Sequence, residues 1–164
     1  MNKGFTLVEL IIYIAIIGLI VTGFATFSIA ISNNREKSYV VSEVHANLRD
    51  AYSLVTKRIR FASSIVTPSS GNSSTTLELD MPGANPNLIF KVIDNILTIQ
   101  EGAGSPVALT SDEVNFSEFT LTNYAGVGRR DNLKIEMTVE YGSNSNDPIY
   151  IYNKSLETTV RVRK

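Results

Sequence analysis

The chain has 164 residues, enough for about one domain, with 43% hydrophobic and 19% charged residues and a formal net charge of -1. Such balance argues against a nucleic-acid binder driven by bulk charge, since phosphate affinity needs clustered cations. There is no cysteine, which excludes disulfides, thiolate metal sites and cysteine nucleophiles, and the single histidine, His45, excludes a histidine-cluster metal site.

The apolar residues are concentrated at the N-terminus. From Leu10 to Ile31 no residue is charged. At about 1.5 Å per residue this run crosses a bilayer's hydrocarbon core, and backbone groups in lipid need internal partners, so the segment is expected to be an α-helix. Lys3 and the initiator amine make a small positive flank, against Arg35, Glu36 and Lys37 at the other end. The positive-inside rule then puts the N-terminus in the cytoplasm and the rest of the chain outside it. The run is longer than the apolar stretch of about 7–15 residues in a cleaved secretory signal. A plain anchor leaves Glu9 unexplained. An acidic side chain costs up to about 2.5–3.5 kcal/mol in a membrane helix, so its presence points to a role.

The stretch Lys3-Gly4-Phe5-Thr6-Leu7-Val8-Glu9-Leu10, running at once into an apolar helix, resembles the type III signal of type IV pilins and pseudopilins. The resemblance implies that a prepilin peptidase cuts between Gly4 and Phe5 at the cytoplasmic face and N-methylates Phe5. It also implies that Glu9 pairs with the α-amine of a neighbouring subunit's Phe5 during assembly. Many helices of the family carry a proline where this chain has Thr26, so a kinked or melted segment of the major-pilin type is not implied here. Gly18 and Gly23 remain as close-packing positions.

After Asn33-Asn34 the pattern becomes amphipathic. Val41, Val44, Leu48, Ala51, Val55, Ile59 and Ala62 recur at steps of three or four, one apolar stripe of a helix. The simplest reading is one helix from about Phe5 to about Ser64, a rod of about 90 Å; a break at Asn33-Asn34 is the alternative. His45 reads as a partly exposed helix residue beside the stripe. Lys57, Arg58 and Arg60 read as a solvated face, or more sharply as a contact for anionic lipid or an acidic partner. The region from Leu48 to Ala62 is loosely similar to the helix end of J-type minor pseudopilins.

Beyond the turn-forming Pro68–Ser74 the period changes from 3.6 to 2. Strands are expected around Leu77–Met81, Leu88–Ile93, Ile96–Gln100, Val107–Thr110, Val114–Thr122 with an irregularity at Ser117-Glu118, Leu133–Tyr141 and Leu156–Val162. Asp94-Asn95 is a two-residue hairpin signal without the preferred glycine. Many pilins pin their last loop with a disulfide; without cysteine, packing or an ion has to do so here. Asn144, Asn146 and Asp147 offer oxygens in that loop, and some family members bind calcium at such loops, but the spacing matches no EF-hand and fits a polar turn. Gly126, Gly128, Arg129 and Arg130 fit an exposed hairpin loop better than a phosphate loop.

The expected fold is α+β and pilin-like, a long N-terminal helix packed on an antiparallel β-sheet head. Its parts are a leader at 1–4, a transmembrane or filament-core helix at 5–32, an amphipathic helix at 33–66 and a β-rich head at 67–164. The expected function is that of a pilin-like structural subunit of a type IV pilus, competence pilus or type II secretion pseudopilus, as a minor subunit and not an enzyme. No cofactor, metal or catalytic residue is expected. The partners implied are other pilin or pseudopilin subunits, prepilin peptidase, an inner-membrane assembly platform and the lipid bilayer. The chain would be a single-pass membrane protein before joining the filament. The alternative is a membrane-anchored extracytoplasmic binding module or adhesin that does not assemble.

Overall fold

The computed structural model describes residues 6–83, 86–124, 132–143 and 145–162. One helix, α1 (Leu7–Phe61), runs without interruption through Asn33-Asn34 and Thr26, so neither position breaks it. The chain divides into two units, Met1–Ser38 and Tyr39–Lys164. In the first, every described residue up to Glu36 is exposed, whatever its polarity.

In the second unit α1 acquires a buried face of Val40, Val44, Leu48, Ala51, Val55, Thr56 and Ile59. The stripe starts at Val40, four residues before Val44, whereas the expected Val41 is only half-buried. The helix stops at Phe61. The Ala62 amide still donates to the Arg58 carbonyl, but the Ser63 amide donates to Asp80 at 2.8 Å. Residues 64–66, expected as helix, therefore belong to a strand, β1 (Ser64–Thr67). The run Ile65-Val66-Thr67 is β-branched, and Pro68 biases the residue before it away from helix.

The remaining strands are β2 (Ser73–Ser74), β3 (Thr76–Asp80), β4 (Leu88–Ile93), β5 (Ile96–Glu101), β6 (Val107–Ala108), β7 (Val114–Asn123), β8 (Asn132–Tyr141) and β9 (Asn153–Arg161). They form two antiparallel sheets, ordered β1-β3-β4-β5-β6 and β2-β7-β8-β9, where the sequence suggested one. Helix stripe and inner sheet faces share one core, with Phe90, Leu77, Leu79, Leu97, Leu121, Leu133 and Ile135 fully buried. This is an α+β architecture, one long N-terminal helix with antiparallel sheets.

Two local devices set the sheet registers. Asp94 (φ 51°) and Asn95 (φ 63°) both have positive φ, the conformation of a type I′ turn, which asparagine and aspartate tolerate. Ile93 pairs with Ile96 directly across it. In β7 the pairing shifts between Phe116 and Glu118. The bulge inserts one residue, so Val114 and Phe116 before it and Phe119 and Leu121 after it all face the core. The Phe116 amide donates to the Asn95 carbonyl at 2.8 Å, tying the hairpin tip of one sheet to the other.

Candidate functional site at the helix start

Thr6 lies just outside α1 and caps it. Its Oγ1 accepts from the Glu9 amide at 3.3 Å, and its carbonyl accepts from the Leu10 amide at 3.1 Å. Thr6-x-x-Glu9 has the spacing of a capping box, and an acidic residue in the first turn complements the helix dipole. The capping bond uses the backbone of Glu9. Among the described residues its carboxylate has no hydrogen-bond or ion-pair partner. Gly4 and Phe5, the expected cleavage pair, lie outside the described residues.

Past Glu9 the helix surface is apolar and unburied. Leu19 is 76% exposed and Phe24 72%. The helix is long and apolar enough to cross a membrane. Both threonine hydroxyls in this stretch are satisfied locally: Thr22 donates to the Gly18 carbonyl at 2.8 Å and Thr26 to the Thr22 carbonyl at 2.7 Å. Such back-bonding removes the penalty of an unpaired hydroxyl in lipid.

Residues 1–25 match the family model described as the prokaryotic N-terminal methylation motif, which supports a prepilin signal of the type IV pilin or pseudopilin type. No curated protein and no solved structure matches the chain. Motif and fold together point to a structural, pilin-like, prepilin-processed protein with a single-pass membrane anchor.

The other sequence candidates fall into structural roles. His45 is exposed, and its Nε2 lies 2.8 Å from the Tyr152 hydroxyl, with the two rings stacked. This contact, the Tyr141–Tyr150 stack and the Gly142 amide donating to the Glu113 carbonyl at 2.8 Å hold the segment before β9. Asp147 Oδ1 accepts from the Ile149 amide, as expected of a polar turn. Asn144, and the loop with Gly126, Gly128, Arg129 and Arg130, lie outside the described residues. Among the described residues no group of three or more His, Cys, Asp or Glu is placed to hold a metal. Lys57, Arg58 and Arg60 line a groove of about 360 Å³ with the exposed Phe61.

The sequence did not reveal how α1 is fastened to the segment before β7. The Tyr39 hydroxyl donates to Glu113 Oε2 at 2.6 Å. Glu43 Oε1 accepts from Asn47 Nδ2 at 2.7 Å and from the Ser111 hydroxyl at 3.0 Å, and Asn47 Oδ1 accepts from the Ser111 amide. The hydrogen bond to Glu113, followed by desolvation and the negative charges of Glu113 and Glu43, pushes the Tyr39 phenol up to about 12. Burial, then the same two carboxylates, raises Tyr141. Partners 64 to 74 residues apart leave no local signal in the sequence.

Proposed function

We propose that the chain is a minor pilin-like subunit of a type IV pilus, competence pilus or type II secretion pseudopilus. The observation that carries this reading is the methylation motif at 1–25, continuous with a helix whose apolar surface is unburied in the isolated chain. That surface needs lipid at first and other helices later. Prepilin peptidase cuts between Gly4 and Phe5 and methylates the new amine of Phe5. The leader carries Lys3 away. The subunit waits in the inner membrane with its N-terminus cytoplasmic and its head outside. An ATP-driven platform then extracts it, and lateral helix packing replaces lipid contacts.

In this scheme Glu9 pairs with the Phe5 amine of a neighbour, and methylation keeps that amine basic. Removing one member of a buried pair costs about 3–5 kcal/mol, enough to enforce register between subunits. Among the described residues the Glu9 carboxylate has no partner, which is consistent with a group that finds its partner only on assembly. Thr26 in place of proline, a long strand-rich head and the loose J-type similarity support a minor subunit.

Intact mass and N-terminal sequencing of the protein, from cells with and without prepilin peptidase, test the reading. The expected product starts at N-methylated Phe5 and forms only with the peptidase. An intact Met1 or a start at Ile31 overturns it. Glu9→Ala is expected to insert into the membrane normally and to be depleted from filaments; normal incorporation contradicts the charge pair.

A further inference from the structure

We propose that the heads of two copies of this chain dock by charge, the basic outer face of α1 in one copy seating on the acidic outer face of the β7-β8-β9 sheet in the next. Both faces belong to the unit Tyr39–Lys164 and turn away from its core. The contact rests on the assembly reading above, since a shared membrane or filament is what brings two heads together at high local concentration.

The basic face follows from the helix period. Arg49, Ser53, Lys57 and Arg60 come at steps of four, four and three, so they share one side of α1. All four are exposed, and with Tyr52 and Thr56 they line one groove of about 470 Å³. From Arg49 to Arg60 the cations extend over about 16 Å of helix axis. Among the described residues Lys57 and Arg60 have no hydrogen-bond or ion-pair partner. Arg49 meets only its neighbour Asp50, at 3.4 Å with both side chains largely exposed, a pair that holds its cation weakly. The Thr56 hydroxyl is the one buried side-chain polar atom among the described residues without a hydrogen-bond partner. Such an orphan in a cationic groove marks a surface that still lacks an acceptor.

The acidic face follows from the strand period. In β8 Leu133, Ile135, Met137 and Val139 are buried, so Lys134, Glu136, Thr138 and Glu140 point outward. Thr138 pairs with Glu118 on β7 and with Ser155 on β9, and its hydroxyl lies 3.0 Å from each of their side chains. Glu136 pairs with Glu157 directly across β8 and β9. Glu118, Glu136, Glu140 and Glu157 thus surround one threonine. Glu136 and Glu140 stand about 14 Å apart along the strand, close to the length of the basic face. Lys134 answers Glu136 at 2.8 Å and Glu157 at 3.0 Å, and among the described residues Glu140 has no partner. Like charges directly opposite across strands are unfavourable, so further cations arriving from outside are favoured.

The two faces lie on different elements, so the contact is heterologous. Each copy offers its basic face to one neighbour and its acidic face to another, and the contact repeats from copy to copy. The same charges oppose the symmetric alternatives, basic face on basic face and acidic face on acidic face. Exposed ion pairs are individually weak and are screened by salt. That suits a contact that forms once copies are already held side by side.

The test uses the absence of cysteine in the chain. Ser53→Cys places a thiol among the cations, and Ser155→Cys places one among the carboxylates. Equal amounts of the two full-length variants, in shared phosphocholine micelles, are joined with a flexible bismaleimide. The mixed product is expected to exceed the sum of the two symmetric products at least about threefold at about 0.1 M salt. It is expected to fall to parity at about 1 M, as the Debye length shrinks from about 10 to about 3 Å. Lys57→Glu with Arg60→Glu on the Ser53→Cys chain is expected to remove the excess with near-ultraviolet dichroism retained. Glu118→Lys with Glu140→Lys on the Ser155→Cys chain is expected to restore it. The proposal is overturned by parity at low salt, by an excess that salt leaves unchanged, or by a loss that the opposite reversal does not restore. Loss of the excess on adding phosphatidylglycerol to the micelles assigns the basic face to anionic lipid and equally overturns it. Processing at the N-terminus does not enter this readout, so its failure leaves the prepilin reading intact.

Discussion

Phe24 and Phe90 carry the same side chain and meet opposite surroundings. Phe24, in the unit Met1–Ser38, is 72% exposed, and Phe90, in the unit Tyr39–Lys164, is 0% exposed. The head buries its apolar residues within itself, whereas the N-terminal half of α1 buries none of its own. A sequence that is 43% hydrophobic is thus two materials joined in one chain, a self-sufficient core and a surface that requires something else to cover it. Folding accounts for the first and lipid or assembly for the second.

The sharpest way to break that contrast is to truncate both rings. Phe90→Ala is expected to lower the head's unfolding free energy by about 3–5 kcal/mol, the cost of a large-to-small change in a packed core. Phe24→Ala is expected to change it by less than about 0.5 kcal/mol. Urea unfolding of the full chain in micelles, followed by the near-ultraviolet dichroism of the head tyrosines, measures both. Equal losses would mean that the two units are not energetically distinct.

A charge probes the other side of the comparison. Ile20→Arg places a cation in the apolar run, at a cost of about 2.5–3.5 kcal/mol in a membrane helix. It is expected to move chain from the membrane fraction to the soluble fraction on alkaline extraction. Ser53→Arg, on an exposed position of the same helix within the head, is expected to leave the distribution unchanged. If Ile20→Arg extracts like the parent chain, the bilayer assignment fails.

The two regions also differed in how legible they were. The N-terminal signal is a linear pattern, so the motif matched at residues 1–25 could be recognised by resemblance, and the roles proposed for Gly4, Phe5 and Glu9 are what that resemblance implies. In the head, local rules gave the β4–β5 turn at Asp94-Asn95 and the β7 bulge at Ser117-Glu118, because turn chemistry and a change of alternation are written in neighbouring residues. The division into two sheets was not legible. The break falls between β6 and β7, which do not pair, and β2, two residues long, crosses to β7 through pairs such as Ser73 with Thr122. The helix end was misread by a few residues because the apolar stripe continues to Ala62, while the Ser63 amide is captured by Asp80, a long-range event.

The smallest effect expected is a pH dependence confined to the start of the head. Tyr39 stands at about 12 against the ordinary 10.0 because its proton is held by Glu113. A folded-state value above the unfolded one means that the folded chain holds the proton more tightly. The stability contributed by this bond is therefore fully present below pH 10 and is lost as the pH rises towards 12. Tyr39→Phe keeps the ring and removes the proton, so the difference between parent and variant should be constant at neutral pH and shrink across that window. Lys134, raised by hydrogen bonds to Glu136 and Glu157, titrates in both proteins and cancels in the comparison, whereas Tyr141, raised by burial and charge-coupled to Tyr39, is changed to Phe in both backgrounds to remove it. Urea midpoints measured from pH 7 to 12 provide the test. A parent-minus-variant difference that grows with pH would mean that the tyrosinate, and not the phenol, is the form the fold favours, which the 2.6 Å bond to a carboxylate forbids.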